Sequence, residues 1–439
     1  MKKLLLGLLI SPFFFSASVM AQESVPLSLQ EALDSALKNN KEIIMAGLDE
    51  ESAHARFKQS DAVFLPQINL SYSAMSSNNP LNAFGFKLQQ QTITPSDFNP
   101  GLLNNPSATQ NFMTKAEWKQ PILNMDMLYI RKAANQQSEV YAFKTKRVKE
   151  YLAFEVEKAY AQLQLAHQAQ AVLAEAMETM NSILKATNNR YEKGYLQKSD
   201  LLQVQVQVTS TESKLAEAKS NVQNGSDYLS LLMGSKTGVV YSVESIVRST
   251  SAENIEVSVP ERRADFQAMQ SAITAQDMMI SSNKMLYLPK LNAFAEYLIN
   301  DKEALGFGSN SYLVGAQLSW SLFKGMSVQN KTTEQRIERS KMATQLSYQK
   351  EQSQLELNKT LRQLQDAKFT LQQQELSVSQ ASEALCILQN RYQQGLVTTN
   401  DLLQAQTLLS QQKLYEAQAI FQLNTTNAYL QFLTSTSEK

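Results

Sequence analysis

Apolar and polar residues alternate strictly in four short stretches of the chain. Ile68, Leu70, Tyr72 and Ala74 are set against Asn69, Ser71 and Ser73. Phe112, Thr114, Ala116 and Trp118 are set against Met113, Lys115, Glu117 and Lys119. Leu291, Ala293, Ala295 and Tyr297 form a third series. Tyr312, Val314, Ala316, Leu318 and Trp320, against Leu313, Gly315, Gln317 and Ser319, form a fourth. A period of two predicts strands, here of about ten residues, each with one apolar face.

Between these stretches the pattern is helical. One helix is predicted from Ser28 to about Phe64, with Ser28 and Glu31 as a capping box, and another from Pro260 to about Tyr287. Each ends at a Leu-Pro pair (Leu65-Pro66, Leu288-Pro289), because proline disfavours α geometry in the residue before it. Very long helices are predicted from about Met125 to Arg190 and from about Met326 to Arg391. In the first, Val156, Leu163, Gln170, Met177 and Leu184 recur every seven residues, as do Ala159, Ala166, Leu173, Met180 and Thr187. That is an a/d seam with one polar position. About 60 residues at 1.5 Å each make a rod of about 90 Å. Gly194 and Gly395 close the rods as C′ glycines. Returning helices are predicted from about Lys198 to Leu232 and from about Thr399 to Leu433.

The halves are copies of one unit. Arg190-Tyr191-Glu192-Lys193-Gly194 recurs as Arg391-Tyr392-Gln393-Gln394-Gly395, and Asp200-Leu201-Leu202-Gln203 as Asp401-Leu402-Leu403-Gln404. Leu65-Pro66-Gln67-Ile68-Asn69 recurs as Leu288-Pro289-Lys290-Leu291-Asn292. The reading is mainly α with a membrane β-barrel, built of two helix-strand-strand-helix-helix repeats at 22–235 and 260–439. A linker at 236–259 joins them. In it Ile255, Val257 and Val259 alternate as one short extra strand.

Composition narrows the function. Lys+Arg and Asp+Glu are 41 each, so no basic excess exists to bind a polyanion such as nucleic acid. Only 13 glycines and 10 prolines interrupt the chain, which favours long elements. One cysteine excludes an intrachain disulfide framework and Cys-based metal sites. No phosphate loop, nucleophile elbow or catalytic carboxylate pair appears, so the reading is not an enzyme, and no cofactor is expected. Energy must come from a partner. His54 and His167 lie far apart on helices and read as non-ligands. The methionine pairs Met125/Met127, Met177/Met180 and Met278/Met279 read as packing, and Cys386 as a small packed hydrophobe.

Lys2 and Lys3, the apolar run Leu4–Phe15 and the small residues of Val19-Met20-Ala21 have the layout of a secretory signal, residues 1–21, cleaved after Ala21. An uncleaved anchor is disfavoured, because the run is too short to cross the bilayer. No later stretch is long and apolar enough for a transmembrane helix.

Four strands cannot close a barrel in one chain, bacterial membrane barrels begin at about eight, and open edges are not tolerated in lipid. Either the strands are soluble or several chains share one barrel. Three chains give twelve strands, with Tyr72, Trp118, Tyr297, Tyr312 and Trp320 facing lipid and Lys115, Glu117 and Lys119 facing a polar lumen. The competing reading is a soluble periplasmic coiled-coil scaffold or adaptor.

In this order, these pieces resemble the TolC-type outer-membrane efflux proteins. The resemblance rests on Leu29-Gln30-Glu31-Ala32-Leu33 with Ala36-Leu37-Lys38-Asn39-Asn40, on the two Leu-Pro-x-(Ile/Leu)-Asn strand starts, and on the two Arg-Tyr-x-x-Gly…Asp-Leu-Leu-Gln turns. It implies a homotrimer with a twelve-stranded barrel on a long periplasmic α-helical barrel. It also implies an exit duct that meets a periplasmic adaptor and, through it, an inner-membrane transporter. By position, it makes Tyr392 the gate tyrosine and Asp401 an entrance aspartate, with Asp200 the first-half counterpart. The tip residues Arg190, Tyr191, Gly194, Arg391 and Gly395 become hairpin geometry or adaptor contacts. Gln404 stands where the better-known type has a second aspartate, and Val397 where it has an arginine, which implies a less acidic gate. Three copies of Asp401 would ring the entrance; the alternative is that both aspartates serve only the start of the returning helix. The long loop of about 76–111 is either a constriction or binding element at the outer mouth, or a tolerated surface insertion.

Overall fold

The computed structural model describes residues 24–249 and 258–436. The signal sequence expected at 1–21, and Ile255 and Val257 of the linker, lie outside the described residues. The elements run β1 (Val25–Pro26), α1 (Leu29–Asn39), α2 (Lys41–Gln59), a 3-10 turn (Ser60–Val63), β2 (Gln67–Ser77), α3 (Pro80–Gln89) and a second 3-10 turn (Pro95–Phe98). They continue with α4 (Pro100–Asn104), β3 (Thr109–Leu123), α5 (Met125–Glu192), α6 (Lys198–Leu232) and β4 (Tyr241–Ser242). The second half holds α7 (Ala264–Met285), β5 (Lys290–Asp301), β6 (Ser309–Ser319), α8 (Ser327–Gln393) and α9 (Thr399–Thr434).

The described chain divides into two compact units. The first holds residues 24–40, 152–249 and 360–430, and the second 41–151, 258–359 and 431–436.

In the first unit the heptad seam is the core. Val156, Leu163, Ala159, Leu173, Met180 and Thr187 are buried, and Gln170 is half-buried. At the start, Ser28 and Glu31 form the capping box, and its hydrogen bonds hold the Glu31 carboxylate below its usual pKa. The single helix expected from Ser28 to Phe64 is broken at Asn40, which is extended (φ −64°, ψ 132°). Its buried amide donates to the Leu232 carbonyl (2.8 Å), which caps the end of α6. An asparagine that can satisfy an orphan carbonyl outweighs one more helical residue. Gly234 (φ +67°) ends α6 there, and a Cβ on it would lie 2.4 Å from the Asn39 carbonyl oxygen. The chain after α6 adds β4, parallel to β1 (Val25↔Tyr241, Pro26↔Ser242), a pairing the sequence pattern did not show. His167 Nε2 lies 2.8 Å from the Tyr241 carbonyl, which gives this histidine a structural role. Cys386 is exposed, which corrects the expectation of a packed hydrophobe.

The second unit is built around an antiparallel sheet in the order β2-β3-β5-β6. Its strands run longer than the alternation suggested. β6 stops at Ser319, so Trp320 lies just past it, with its indole N–H donated to the Tyr287 carbonyl (2.9 Å). The sheet is tied to the helices at one end. Lys290 pairs with buried Asp126 (2.6 Å), Asn124 donates to Asn292 (2.9 Å), and Ser282 donates to the Asp126 carbonyl (2.8 Å). At the opposite end lie two loops. The short one turns on Asp301, whose carboxylate accepts from the amides of Glu303 and Gly308. The long one, expected as an irregular loop, contains α3, the second 3-10 turn and α4. Prolines that break a helix interior start one at N1: Pro80, Pro95 and Pro100 each follow a capping Asn or Thr.

Candidate functional site

The sheet and the hairpin turns carry the residues singled out from the sequence. Antiparallel partners point to one side of a sheet, so the register decides the faces. Leu70 pairs with Ala116, Ala116 with Tyr297, and Tyr297 with Tyr312. Ile68 pairs with Trp118, Trp118 with Ala295, and Ala295 with Val314. The four apolar series are therefore one continuous face, and Tyr72, Trp118, Tyr297 and Tyr312 all lie on it. This face is open: Leu70 is 76% exposed, Ile68 73%, Val314 68% and Tyr312 78%.

The opposite face carries the charges, and they are paired. Lys115 reaches Glu296 (2.6 Å) and Glu117 (3.7 Å), and Lys119 reaches Glu117 (3.0 Å). Phe294 interrupts the polarity by lying across Gly315, where a Cβ would come within 2.8 Å of its ring. The central charges Lys115, Glu117 and Glu296 are thus partly buried while the apolar side chains stand open, the reverse of a sheet covering a soluble core. Among the described residues, β2 and β6 have a partner strand on one side only.

The two hairpin turns, in the first unit, share one backbone solution. Tyr195 N–H donates to the Arg190 carbonyl and Gly194 N–H to the Tyr191 carbonyl (both 2.9 Å). Leu396 N–H and Gly395 N–H repeat this with Arg391 and Tyr392 (both 3.0 Å). These are Schellman motifs, and they need a left-handed residue: Gly194 has φ 78° and Gly395 φ 76°. The glycines are thus accounted for by turn geometry.

The two tyrosines differ. Tyr191 is exposed, whereas Tyr392 is buried in a core with Met180, Ile183, Val204, Leu385 and Leu402. Its hydroxyl hydrogen-bonds Thr399 Oγ1 (3.2 Å). Arg190 comes across from the other hairpin, donates to the Tyr392 carbonyl (3.1 Å) and stacks 4.4 Å from the ring centroid. The motif marked Arg190 and Tyr392 separately, but their contact was not visible in the sequence. Arg391 is exposed.

Asp401 belongs to a capping box with Thr398. Its carboxylate accepts from the Thr398 hydroxyl (2.7 Å) and amide (2.9 Å), and its own amide donates to Thr398 Oγ1 (3.2 Å). Those hydrogen bonds hold its pKa below the usual carboxylate value. Thr398 is the residue that sequence reasoning missed; the S/T-x-x-acid spacing was its signal. Asp200 accepts from the Gln197 amide (3.1 Å) in the equivalent place. Gln404 is exposed and lines a groove between α6 and α9 with Leu202, Gln203, Val206 and Leu408. Gln207 crosses that groove to Thr407 (3.2 Å). Among the described residues, no group of three or more metal-ligating side chains converges, and no helix is long and apolar enough to cross a membrane.

The fold is similar to those of solved outer-membrane channels. CusC, whose crystal structures address transmembrane channel formation, superposes with a TM-score of 0.80 at 16% identity, covering 96% of both chains. The CmeC outer-membrane channel of Campylobacter jejuni gives 0.79 at 17% identity, covering 94% of this chain and 87% of its own. The outer-membrane protein VceC of Vibrio cholerae gives 0.77 at 18%, covering 93% and 97%. No curated protein matches by sequence. The outer membrane efflux protein family matches over residues 32–235 and 258–436, and this chain belongs to it.

Proposed function

We propose that the protein is the outer-membrane exit duct of a tripartite efflux pump or a type I secretion system. Three copies pool their strands into one twelve-stranded barrel, with the long helices forming a periplasmic α-helical barrel below it. The observation that carries this reading is the sheet: a continuous exposed apolar face, a paired charged face and two open edges. Backbone groups at an open edge cost several kcal/mol each in lipid, so the edges β2 and β6 must meet copies of each other. In that barrel Tyr72, Trp118, Tyr297, Tyr312 and Trp320 face lipid and its interface, and Lys115, Glu117 and Lys119 face water.

Solute moves passively through the lumen, driven by an inner-membrane transporter that a periplasmic adaptor connects to the duct. The hairpin tips, with Arg190, Tyr191, Gly194, Arg391 and Gly395, form the docking end beside the α6/α9 groove. Asp401 and Asp200, with Gln404 and Tyr392, form the entrance. The Thr398 hydrogen bonds lower the Asp401 pKa, which favours the charged form in a ring of three.

The test is cell fractionation followed by mass determination of the detergent-extracted protein. An outer-membrane trimer is the expected result. A soluble periplasmic monomer overturns the barrel and leaves a coiled-coil scaffold.

A further inference from the structure

The long loop does not stand clear of the sheet. Gln90, at the end of α3, donates from one amide nitrogen to the Gln110 carbonyl (2.7 Å) and to Asn111 Oδ1 (3.0 Å). Asn111 donates to Asn300 Oδ1 (3.0 Å) and Gln89 Oε1 (3.3 Å). Ser309 Oγ donates to the Gln89 carbonyl and also to that of Asn300 (3.0 Å). Asn111, Asn300, Ser309 and Gln90 are 0%, 2%, 5% and 6% exposed.

These residues lie on one side of the sheet. Asn111 is in phase with Lys115 and Lys119, Asn300 is in phase with Glu296, and Asn300 pairs with Ser309. The network therefore bonds the end of α3 to the charged face, across β3, β5 and β6, at the rim remote from the long helices. Buried amides that satisfy one another fix one geometry, because breaking any link strands a donor or acceptor. The turn out of α3 also places a non-glycine residue, Gln91, in the left-handed region (φ 55°). Such a residue persists where surrounding contacts over-determine it. Lys87 and Asp97 (2.7 Å) close the loop on itself.

We propose that residues 80–104 form an inward-folded collar at the outer mouth of the duct, and that Gln90, Asn111 and Asn300 are its anchor and set the size of solute that can leave. This rests on the trimeric barrel reading, in which the charged face lines the lumen.

The test uses whole cells with Ser71→Cys, on the charged face below the collar, in a Cys386→Ser background. Maleimides that do not cross membranes are added from outside. The expected result is labelling by a small fluorescent maleimide but not by a bulky polyethylene-glycol maleimide. Replacing residues 79–105 by a short Gly-Ser turn should admit the bulky reagent. Asn111→Ala, which keeps the loop and removes three side-chain hydrogen bonds, should raise bulky labelling about tenfold or more. Equal bulky labelling of the unaltered loop and both variants overturns the collar, and so does its absence from all three while the small reagent labels. Failure of the small reagent in every chain overturns the barrel reading beneath it.

Discussion

Arg190→Ala should unfasten the two hairpin tips from each other without unfolding either. In the intact protein the Arg190 guanidinium donates to the Tyr392 carbonyl at 3.1 Å and stacks on the Tyr392 ring at 4.4 Å. A hydrogen bond from a charged donor is worth about 1.5 kcal/mol net at the low end of its range. The low end applies here because the Tyr392 carbonyl also accepts from Gly395 N–H (3.0 Å), so losing the arginine leaves no orphaned acceptor. A partly exposed cation–π contact adds about 0.5–1 kcal/mol. Together they give about 2 kcal/mol, or about 30-fold in the local opening equilibrium. Hydrogen exchange of the amides around Tyr392–Leu402 should accelerate by about that factor, while amides around Leu163 stay protected. Arg190→Lys keeps the charge but not the planar stack, and should recover roughly half of the free energy. Unchanged exchange at the tip in Arg190→Ala would refute the coupling, as would uniform acceleration along α5.

Three further outcomes follow from the same geometry. Gly395→Ala and Gly194→Ala should each lower the thermal unfolding midpoint by the equivalent of about 1 kcal/mol, because a Cβ there meets nothing within 4 Å and only the left-handed φ is penalised. Gly234→Ala should lower it by clearly more, since its Cβ also collides with the Asn39 carbonyl. Leu163→Ala, at a fully buried seam position against Gly225, should cost about 2–5 kcal/mol in denaturant unfolding. The Lys87 ammonium, helped by the Thr94 amide, draws the Asp97 carboxyl down to about 2 from 3.8. Its contribution to loop order is therefore complete above pH 3.8 and lost as pH falls through about 2, and Lys87→Ala should move the titration observed by NMR back toward 3.8.

The elements were legible where one periodicity ran long enough to average out local exceptions. The seam from Val156 to Thr187 and the strand alternation are of this kind, because burial on one side repeats at a fixed interval. Misses came where a single side chain redirected the backbone. Asn40 breaks the first helix because its amide satisfies a carbonyl at the end of α6, a partner 192 positions away. β4 pairs only two residues with β1, too few to leave a pattern. In the long loop the prolines read as interruptions, yet at N1, after a capping Asn or Thr, they start helices. Neither those starts nor the meeting of Gln90 and Asn111 was visible, because caps without a following apolar period and complementary amides carry no periodic signature.

The repeat shows the limit most directly. Arg190-Tyr191 and Arg391-Tyr392 stand at equivalent places in equivalent turns, and both turns close with the same hydrogen bonds. A motif can specify that backbone, because a C′ glycine and its two amide donors are local. It cannot specify which tyrosine is buried, since that depends on how one hairpin packs on its copy. Once Tyr392 occupies the shared core beside Leu385 and Leu402, its ring and carbonyl face Arg190, while Tyr191 is left at the surface. The Asp401 carboxylate accepts from the Thr398 hydroxyl as well as its amide, while the Asp200 carboxylate accepts from the Gln197 amide. The two hairpins therefore share the turn and differ in what their side chains contact. Substitutions in the second hairpin should perturb the packing between hairpins more than the same substitutions in the first, and Tyr392→Ala against Tyr191→Ala is the direct comparison. Removal of a core ring costs about 3–5 kcal/mol, whereas an exposed ring is worth a fraction of that. Equal loss of thermal stability from the two changes would mean that the halves still act as equivalents.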